Sequence, residues 1–514
     1  MKNSLKRFLA LALMAVLLVS MVACANTSET TSTPSESGTA SGGDTSTAPD
    51  PDKEYLDENG QYVPKVGVLD EYKGETFDIL VVGVSGGTYQ SDDFTTESGG
   101  NGGIDYGDTF YKEGVGARND KIEEMYGVTL EVWKEDDAFS KAKNDATSGT
   151  GTYDAVILSV GQLASLAQDN LLWDYNSSEF EGYIDTKAPW WAQSASEAYS
   201  IGGKLYFMTG DITIMNKVNT WSILFNKEMV RDYGLDNPYD LYDEGTWTFD
   251  KMCEMAREVN TASPSVAWDD ETVVWGMVTA TGDAYQFFGG SGLTVCEKEN
   301  DLPVLSFGTE ASITIAEKVL TAMTTSEWML YATKATGGPT GNVWTDSFNV
   351  FNNGRALFRP SGFSAVTKAS SWANIEFGIM PMPKMNESQE GYYTVTSGSW
   401  GVSILKNNCD HQFAAYMIDA FAAGAKNYVT PAYIEVNLKR KSLRDDDSER
   451  ILEDIFDSIV YDAGAVYDFG GISTMFSNLV SQGSADIVSS FDSVRDQALN
   501  AIEDVIDAYA QDDE

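Results

Sequence analysis

Two kinds of residue pattern in this chain are able to do chemistry. Gly83-Val84-Ser85-Gly86-Gly87 spells G-x-S-x-G directly after an apolar run, the spacing of a nucleophile elbow. An elbow needs a helix immediately after the serine and a histidine as base. Here the following residues are Gly-, Ser- and Asp-rich loop, and His411 is the single histidine of the chain. The alternative is a tight turn at the carboxyl end of a strand, where open sheets bind ligands, so that Ser85 lines a site without catalysing. Acidic pairs are the second pattern, as at Asp92-Asp93 and Asp269-Asp270, and two carboxylates across a sugar bond are the equipment of a glycosidase. With 78 acidic residues such pairs arise by chance, and most are expected on the solvated surface.

Other chemistry is excluded by counting. One histidine rules out histidine-based metal sites, and Cys253, Cys296 and Cys409 lack metal-ligand spacing. Beyond Cys24 they are expected as three isolated, partly buried thiols, although one disulfide among them stays open. The balance of 34 basic against 78 acidic residues, −44 in all, makes nucleic acid and anionic head groups poor partners. Aromatic residues are more informative: 12 Trp, 25 Tyr and 23 Phe. Rings cover the apolar C–H face of a sugar while Asp, Asn and Gln satisfy its hydroxyls in a concave site. Most of these rings are nevertheless expected in the core.

The elements that must position such residues read as an α/β body. Strands are expected over 77–85, 128–134 and 153–160, with helices over 109–127 and directly after residue 160. This alternation argues for a parallel sheet. Residues 204–234 hold two strand-like runs leading into a helix. Thr248 is placed to cap a helix ending near residue 260. Further strands are expected over 273–280, 375–383 and 399–405. Ile487, Phe491, Val494, Ala498, Ile502, Val505 and Tyr509 recur at three- and four-residue spacing and form the stripe of a long C-terminal helix. No internal repeat and no long linker interrupts residues 73–514.

The amino-terminal end has a different composition. Lys2, Lys6 and Arg7 precede an apolar run from Phe8 to Val22, the architecture of a secretory signal. The run is shorter than the ~20 apolar residues of a spanning helix. Met21-Val22-Ala23-Cys24 resembles the bacterial lipobox, in which cleavage precedes the cysteine and its sulfur carries diacylglycerol. Residues 25–52 contain no aromatic residue and no Leu, Ile, Val or Met, too little apolar surface to offset the entropy of ordering. They are expected to act as a flexible tether. Cleavage leaves 491 residues, ample for a large core.

Several blocks then resemble the extracellular solute-binding proteins of family 1, the sugar-type receptors of ABC importers. They are YDAVILSVGQLASLAQDNLLWDYN (153–176), WSILFNKEMVRDYGLDNPYDLYDEGTWTFDKMCEMAREV (221–259), FNNGRALFRPSGF (351–363), FGIMPMPK (377–384), GYYTVTSGSWGVSIL (391–405) and PAYIEVNLKRKSLRDD (431–446). The resemblance implies a type II periplasmic-binding-protein fold, α/β, with two lobes, a hinge of crossing strands and C-terminal helices. It implies a signal peptide over 1–23, lipid anchor and disordered tether over 24–72, one lobe from 73–216 plus 384–431, and a second from 217–383 plus 432–514. It also implies a non-enzymatic monomer without cofactor, held on the outer face of a cell membrane in a Gram-positive-type envelope through lipid on Cys24. Its partners would be a carbohydrate and the permease subunits of an ABC importer, the alternatives being another polar solute or a surface glycan-processing enzyme. Matched to the family pattern, the ligand-binding candidates are Ser159 and Gln162 after a strand, Asp211 before the interlobe crossing, and Asn219 and Trp221 at the crossing. Asp283 and Tyr285 precede a Gly-rich turn. Phe363 stands where relatives carry Trp, Trp400 lies in GSWG, and Phe469 lies before two glycines. Ser85 joins them from the first loop.

Overall fold

The first strand is apolar on both faces because it is covered on both faces. Phe77, Ile79, Leu80 and Val81 of β1 (Thr76–Val82) are all fully buried, as expected for the inner strand of a parallel sheet. The computed structural model describes residues 52–510 except 84–89, 97–103, 264–265, 370–373, 397, 407–409 and 444. The signal, the lipobox with Cys24, most of the tether, Ser85 and Cys409 therefore lie outside the described residues. The described chain belongs to one compact unit, Pro51–Glu514.

Nine strands make two sheets. β1 pairs in parallel with β2 (Thr129–Glu135) and β3 (Ala155–Ser159). The second sheet holds β4 (Trp221–Asn226), β5 (Trp275–Thr279), β6 (Met329–Tyr331), β7 (Ala356–Gly362) and β8 (Phe377–Met380), ordered β8-β4-β7-β5-β6. β5 runs parallel to β6 and β7, whereas β4 is antiparallel to both of its neighbours. The chain then returns to the first sheet, where β9 (Trp400–Ser403) lies antiparallel to β3 and completes the order β9-β3-β1-β2. Each sheet thus contains an antiparallel strand that enters after a crossing. The expected strands are all found, with one difference in 204–234. Only its second run is a strand; the first is extended and meets β9 through the single bridge Met208↔Val402.

Helices cover these sheets: α1 (Ala117–Tyr126), α2 (Ala138–Ser148), α3 (Val160–Gln168), α4 (Phe249–Val259), α5 (Asp283–Gly289), α6 (Glu310–Thr325), α7 (His411–Asn427), α8 (Asp446–Asp457), α9 (Ile472–Gln482) and α10 (Ile487–Ala510). The helix expected over 109–127 is π-helical over Thr109–Gly116 before it becomes α1, and Gly127 closes it at φ 68°, where a side chain would be strained. The Thr248 hydroxyl accepts the Lys251 N–H and caps α4 as expected. The α10 stripe is buried except at half-buried Val494. Among the described residues no helix is long and apolar enough to cross a membrane.

One boundary is corrected. The tether does not continue to residue 72, because 53–72 is packed against the body. Tyr55 meets Trp190 edge-on at 5.5 Å, Tyr72 packs on Phe413 at 5.0 Å, and the Tyr62 amide donates to Asn427. Three tyrosines supply the apolar area that residues 25–52 lack.

This strap leads to a buried carboxyl. Tyr55 Oη donates to Asp185, and the amide of Asp185 donates to Asp419 on α7. The indole N–H groups of Trp190 and Trp191 both donate to Asp419 Oδ1, at 2.7 and 3.2 Å. Burial pushes this carboxyl up to about 7, and the two indole donors only partly oppose it. In the unfolded chain the same group loses its proton near ~3.9. Between about pH 4 and pH 7 the folded state holds the extra proton, so this group's contribution to stability falls as pH rises through that window. Asp419→Asn keeps an oxygen for the indoles and has no ionisation. Melting curves should show a shallower loss of stability for the variant from about pH 4 to pH 7, a relative gain on the order of a few kcal/mol. Parallel pH profiles for the two proteins would refute the assignment.

Candidate functional site

The carboxyl end of β3 and the amino end of β9 meet because the two strands are antiparallel, with Ser159 opposite Trp400. Ser159 also begins α3. Its hydroxyl accepts the Gln162 N–H, while Gln162 Oε1 accepts from the Ser159 N–H and Oγ, a reciprocal cap that fixes both side chains. Asn219 approaches from the crossing that leads to β4, and its Nδ2 donates to the Gly398 carbonyl at 2.8 Å. Together with Val82, Asp136, Asp137, Ala138 and Phe139 these residues line a cleft of about 440 Å³. Its walls therefore combine two aromatic rings with hydroxyl, amide and carboxylate groups. That volume lies within the usual ~300–1,000 Å³ of small-molecule sites.

Four sequence-derived candidates, Ser159, Gln162, Asn219 and Trp400, are thus brought together. The others fall into three environments. Trp221, the first residue of β4, lies opposite Gly362 and donates its indole N–H to Asp283 at 3.1 Å. Asp283 also accepts from Thr279 Oγ1 and the Ala280 amide, and its burial raises the carboxyl pKa against these donors. Tyr285 donates to buried Asp462. Asp211 forms an internal ion cluster, 3.0 Å from Lys217 Nζ and 3.5 Å from Lys426 Nζ, and accepts from Thr430 Oγ1. Burial raises its pKa, but the two ammonium groups outweigh that and hold it below the ordinary value. Phe363 is fully buried against Phe456, and Phe469 stacks on Tyr467 at 5.5 Å. Both rings are packed in apolar surroundings rather than set on the 440 Å³ cleft.

The acidic pair Asp92-Asp93 departs from the expectation of a solvated surface. Both residues are buried. Lys134 Nζ lies 2.5 Å from Asp92 Oδ1, and Asp93 Oδ2 accepts the Ile214 amide. Asp269 and Asp270 are exposed as expected. His411 stacks on Trp173 at 4.1 Å, next to Glu179. Cys253 and Cys296 are buried free thiols, and burial pushes Cys253 up to about 12, which makes it unreactive. Among the described residues no group of three or more His, Cys, Asp or Glu is placed to hold a metal.

Asp136, Asp137 and Phe139 were not singled out from the sequence. The available signal was their place: the run DDAF (136–139) directly follows β2, at the carboxyl end of a parallel strand, where open sheets bind ligands.

The profile of a family described as "Bacterial extracellular solute-binding protein" matches residues 74–423. No curated protein sequence matches. Among solved structures, the chain is similar to an ABC substrate-binding protein from Listeria monocytogenes in complex with cycloalternan, with 14% identity, TM-score 0.50, and coverage of 84% of this chain and 98% of that one. It is also similar to a cyclo/maltodextrin-binding protein complexed with maltotetraose, with 14% identity, TM-score 0.52, and coverage of 86% and 98%. A third similar structure is an ABC transporter solute-binding protein from Thermotoga lettingae bound with α-D-tagatose, with 14% identity, TM-score 0.51, and coverage of 84% and 100%. At these identities the likeness shows the fold, the two-lobe type II arrangement expected from the sequence.

Trp221→Phe separates packing from recognition at the second strand end, because it keeps a ring and removes the N–H given to Asp283. The expected result is a loss of about 1–3 kcal/mol in stability by melting, from a buried acceptor left short of a donor. Solute affinity measured by calorimetry should stay within a few-fold. An affinity loss without a stability loss would place the indole nitrogen on the solute.

Proposed function

Because the chain belongs to the bacterial extracellular solute-binding protein family, we propose that it is a lipid-anchored receptor that binds a carbohydrate, an oligosaccharide, in an interlobe cleft and delivers it to an ABC importer. The observation that carries this reading is the make-up of the cleft. Trp400 and Phe139 offer ring surface for C–H faces, while Ser159, Gln162, Asn219, Asp136 and Asp137 offer donors and acceptors for hydroxyls. The saccharides named with the three similar structures support the ligand class. The role is binding rather than catalysis. Asp136 and Asp137 come from one turn, whereas glycoside hydrolysis needs carboxyls on two sides of the scissile bond.

The proposed lobes are 73–216 plus 384–431 and 217–383 plus 432–514. In support, β9 returns to the first sheet, while the pairing of Thr394–Val395 with Ile459–Val460 crosses the division. Residues Ala432–Leu443 pack on both Thr109–Gly116 and Phe363–Ala369, so they bridge the two lobes. Lobe rotation around captured solute, with Cys24 as the lipidated end of a tether, would keep the receptor near its permease.

Four measurements test this. In a thermal-shift panel of glycans, the cognate saccharide at 1,000 times its Kd should stabilise the protein by about 4.1 kcal/mol. No shift across neutral and charged oligosaccharides would remove the carbohydrate reading. Small-angle scattering should show the radius of gyration falling at saturation, and an unchanged radius would mean a rigid groove. Mass spectrometry of the cell-derived protein should find residues 1–23 absent and lipid on Cys24, and an intact Ala23–Cys24 bond would exclude the anchor. Trp400→Ala should weaken the cognate saccharide by about 5- to 150-fold, the range of a lost aromatic anchor.

A further inference from the structure

We infer that Trp344 is the second lobe's stacking platform, an outer subsite for the far units of a longer oligosaccharide whose near units lie in the 440 Å³ cleft. The inference rests on the carbohydrate-receptor reading, and adds to it a second-lobe contact and a preference for longer chains.

A solute drives two lobes shut when it touches both of them. Apart from Asn219 at the crossing, every residue lining the cleft belongs to the proposed first lobe. The second-lobe candidates are engaged elsewhere: Trp221 with Asp283, Tyr285 with Asp462, Phe363 with Phe456 and Phe469 with Tyr467. Trp344 is not. It is 53% exposed, the most of any exposed large apolar side chain among the described residues. Among those residues its indole takes part in no hydrogen bond or ring stack. Trp247, Trp268 and Trp275 of the same lobe instead give their N–H groups to carbonyls.

The backbone sets this ring at the sheet edge where the crossing arrives. The helix Val343–Asn352 turns back into β7 through Asn353–Arg355, where the Gly354 and Arg355 amides donate to Phe351 and Val350. The helix therefore runs opposite to β7, and the Arg359 guanidinium 4.3 Å over the Phe348 ring fixes their relative level. Trp344 is one turn, about 5.4 Å, nearer the carboxyl end of β7. That end pairs Gly362 with Trp221, two residues after the cleft residue Asn219. A helical Cα–Cβ bond tilts toward the helix N-terminus, so the ring projects past this edge. The loop that carries it is pinned. Buried Asp346 accepts the Thr340 amide and hydroxyl, Asn342 accepts the Trp344 and Thr345 amides, and Trp268 donates to the Thr336 carbonyl. A single exposed ring is ordinary on a protein surface; this one is held on a fixed loop at the edge that must meet solute. Such a ring covers the C–H face of a sugar with little ordering left to lose.

The test is calorimetric titration of the full chain, Trp344→Ala and Trp344→Phe with malto-, cello-, xylo- and chito-oligosaccharides from dimer to hexamer. In a series that binds, affinity should rise with length. Trp344→Ala should weaken the longest binding member by about tenfold, the worth of one stacked ring, and leave the shortest within about twofold. Trp344→Phe, which keeps a ring, should recover most of the loss. Melting curves of both variants should match the parent, because the ring is exposed. Affinity that does not rise with length, or an alanine variant equal to the parent at every length, would overturn the platform while leaving a carbohydrate receptor in place. An equal loss at every length would overturn the outer placement. A lowered melting temperature with unchanged affinity would make the ring a packing residue. Binding of no saccharide would overturn the receptor reading, and this inference with it.

Discussion

The constraint on which the site depends is the placement of one antiparallel strand in each sheet. Parallel strands point their carboxyl ends the same way, and an antiparallel strand inserted beside them brings its amino end to that edge. β4 does this in the second sheet and β9 in the first, so Trp221 faces Gly362 and Trp400 faces Ser159 across the ladder. Both inserted strands begin with tryptophan. The two rings are related by this topology and are used differently. Trp400 borders the open cleft, whereas Trp221 lies against Gly362, where a Cβ would sit 3.3 Å from its ring, and gives its N–H to Asp283. Gly401, next to Trp400, is needed for the same insertion: a Cβ there would meet the Met208 carbonyl at 2.7 Å.

Buried carboxylates tie the rest to this frame. A desolvated carboxylate is costly unless several donors converge on it. Asp462 accepts from the amides of Val295, Cys296 and Gly464 and from Tyr285 Oη, which joins the segment before α9 to the Cys296–Glu299 strand. Asp283 gathers three donors at the end of β5, and Asp419 gathers two indoles and an amide on α7. In a chain with 78 acidic residues, these few are structural because they lie where main-chain and indole N–H groups converge.

This explains which parts were legible in the sequence. Strand and helix positions follow from apolar periodicity, and the cap at Thr248 and the stripe of α10 appear where they were expected. Ser159, Gln162, Asn219 and Trp400 were reachable because they flank strand ends, a position that motif spacing encodes. Phe363 and Phe469 were not distinguishable from cleft aromatics, since a ring beside glycines has the same local sequence whether it faces solute or Phe456 and Tyr467. Asp92-Asp93 looked like surface because its partners, Lys134 and the Ile214 amide, are distant in sequence. Asp211 is another case: its occupation depends on Lys426 and Thr430, which only the fold brings near.

The two strand ends also differ in how much of their polar chemistry is already engaged. On the second-sheet side the polar groups near Trp221 are already paired with one another, as the bonds among Trp221, Asp283 and Thr279 and between Tyr285 and Asp462 require. On the first-sheet side, Gln162 spends its oxygen on the cap and Asn219 spends its Nδ2 on Gly398, so the Gln162 nitrogen and the Asn219 oxygen are the amide atoms of these cleft-lining residues that lie outside those bonds. Gln162 therefore has N–H donors to offer and Asn219 an acceptor, beside carboxylates that only accept while ionised. Hydroxyl groups, which both donate and accept, are the chemistry that uses all of these at once. In the proposed receptor the groups suited to solute accordingly lie on the first-sheet side, while Trp221, Asp283 and Tyr285 on the second-sheet side already have protein partners.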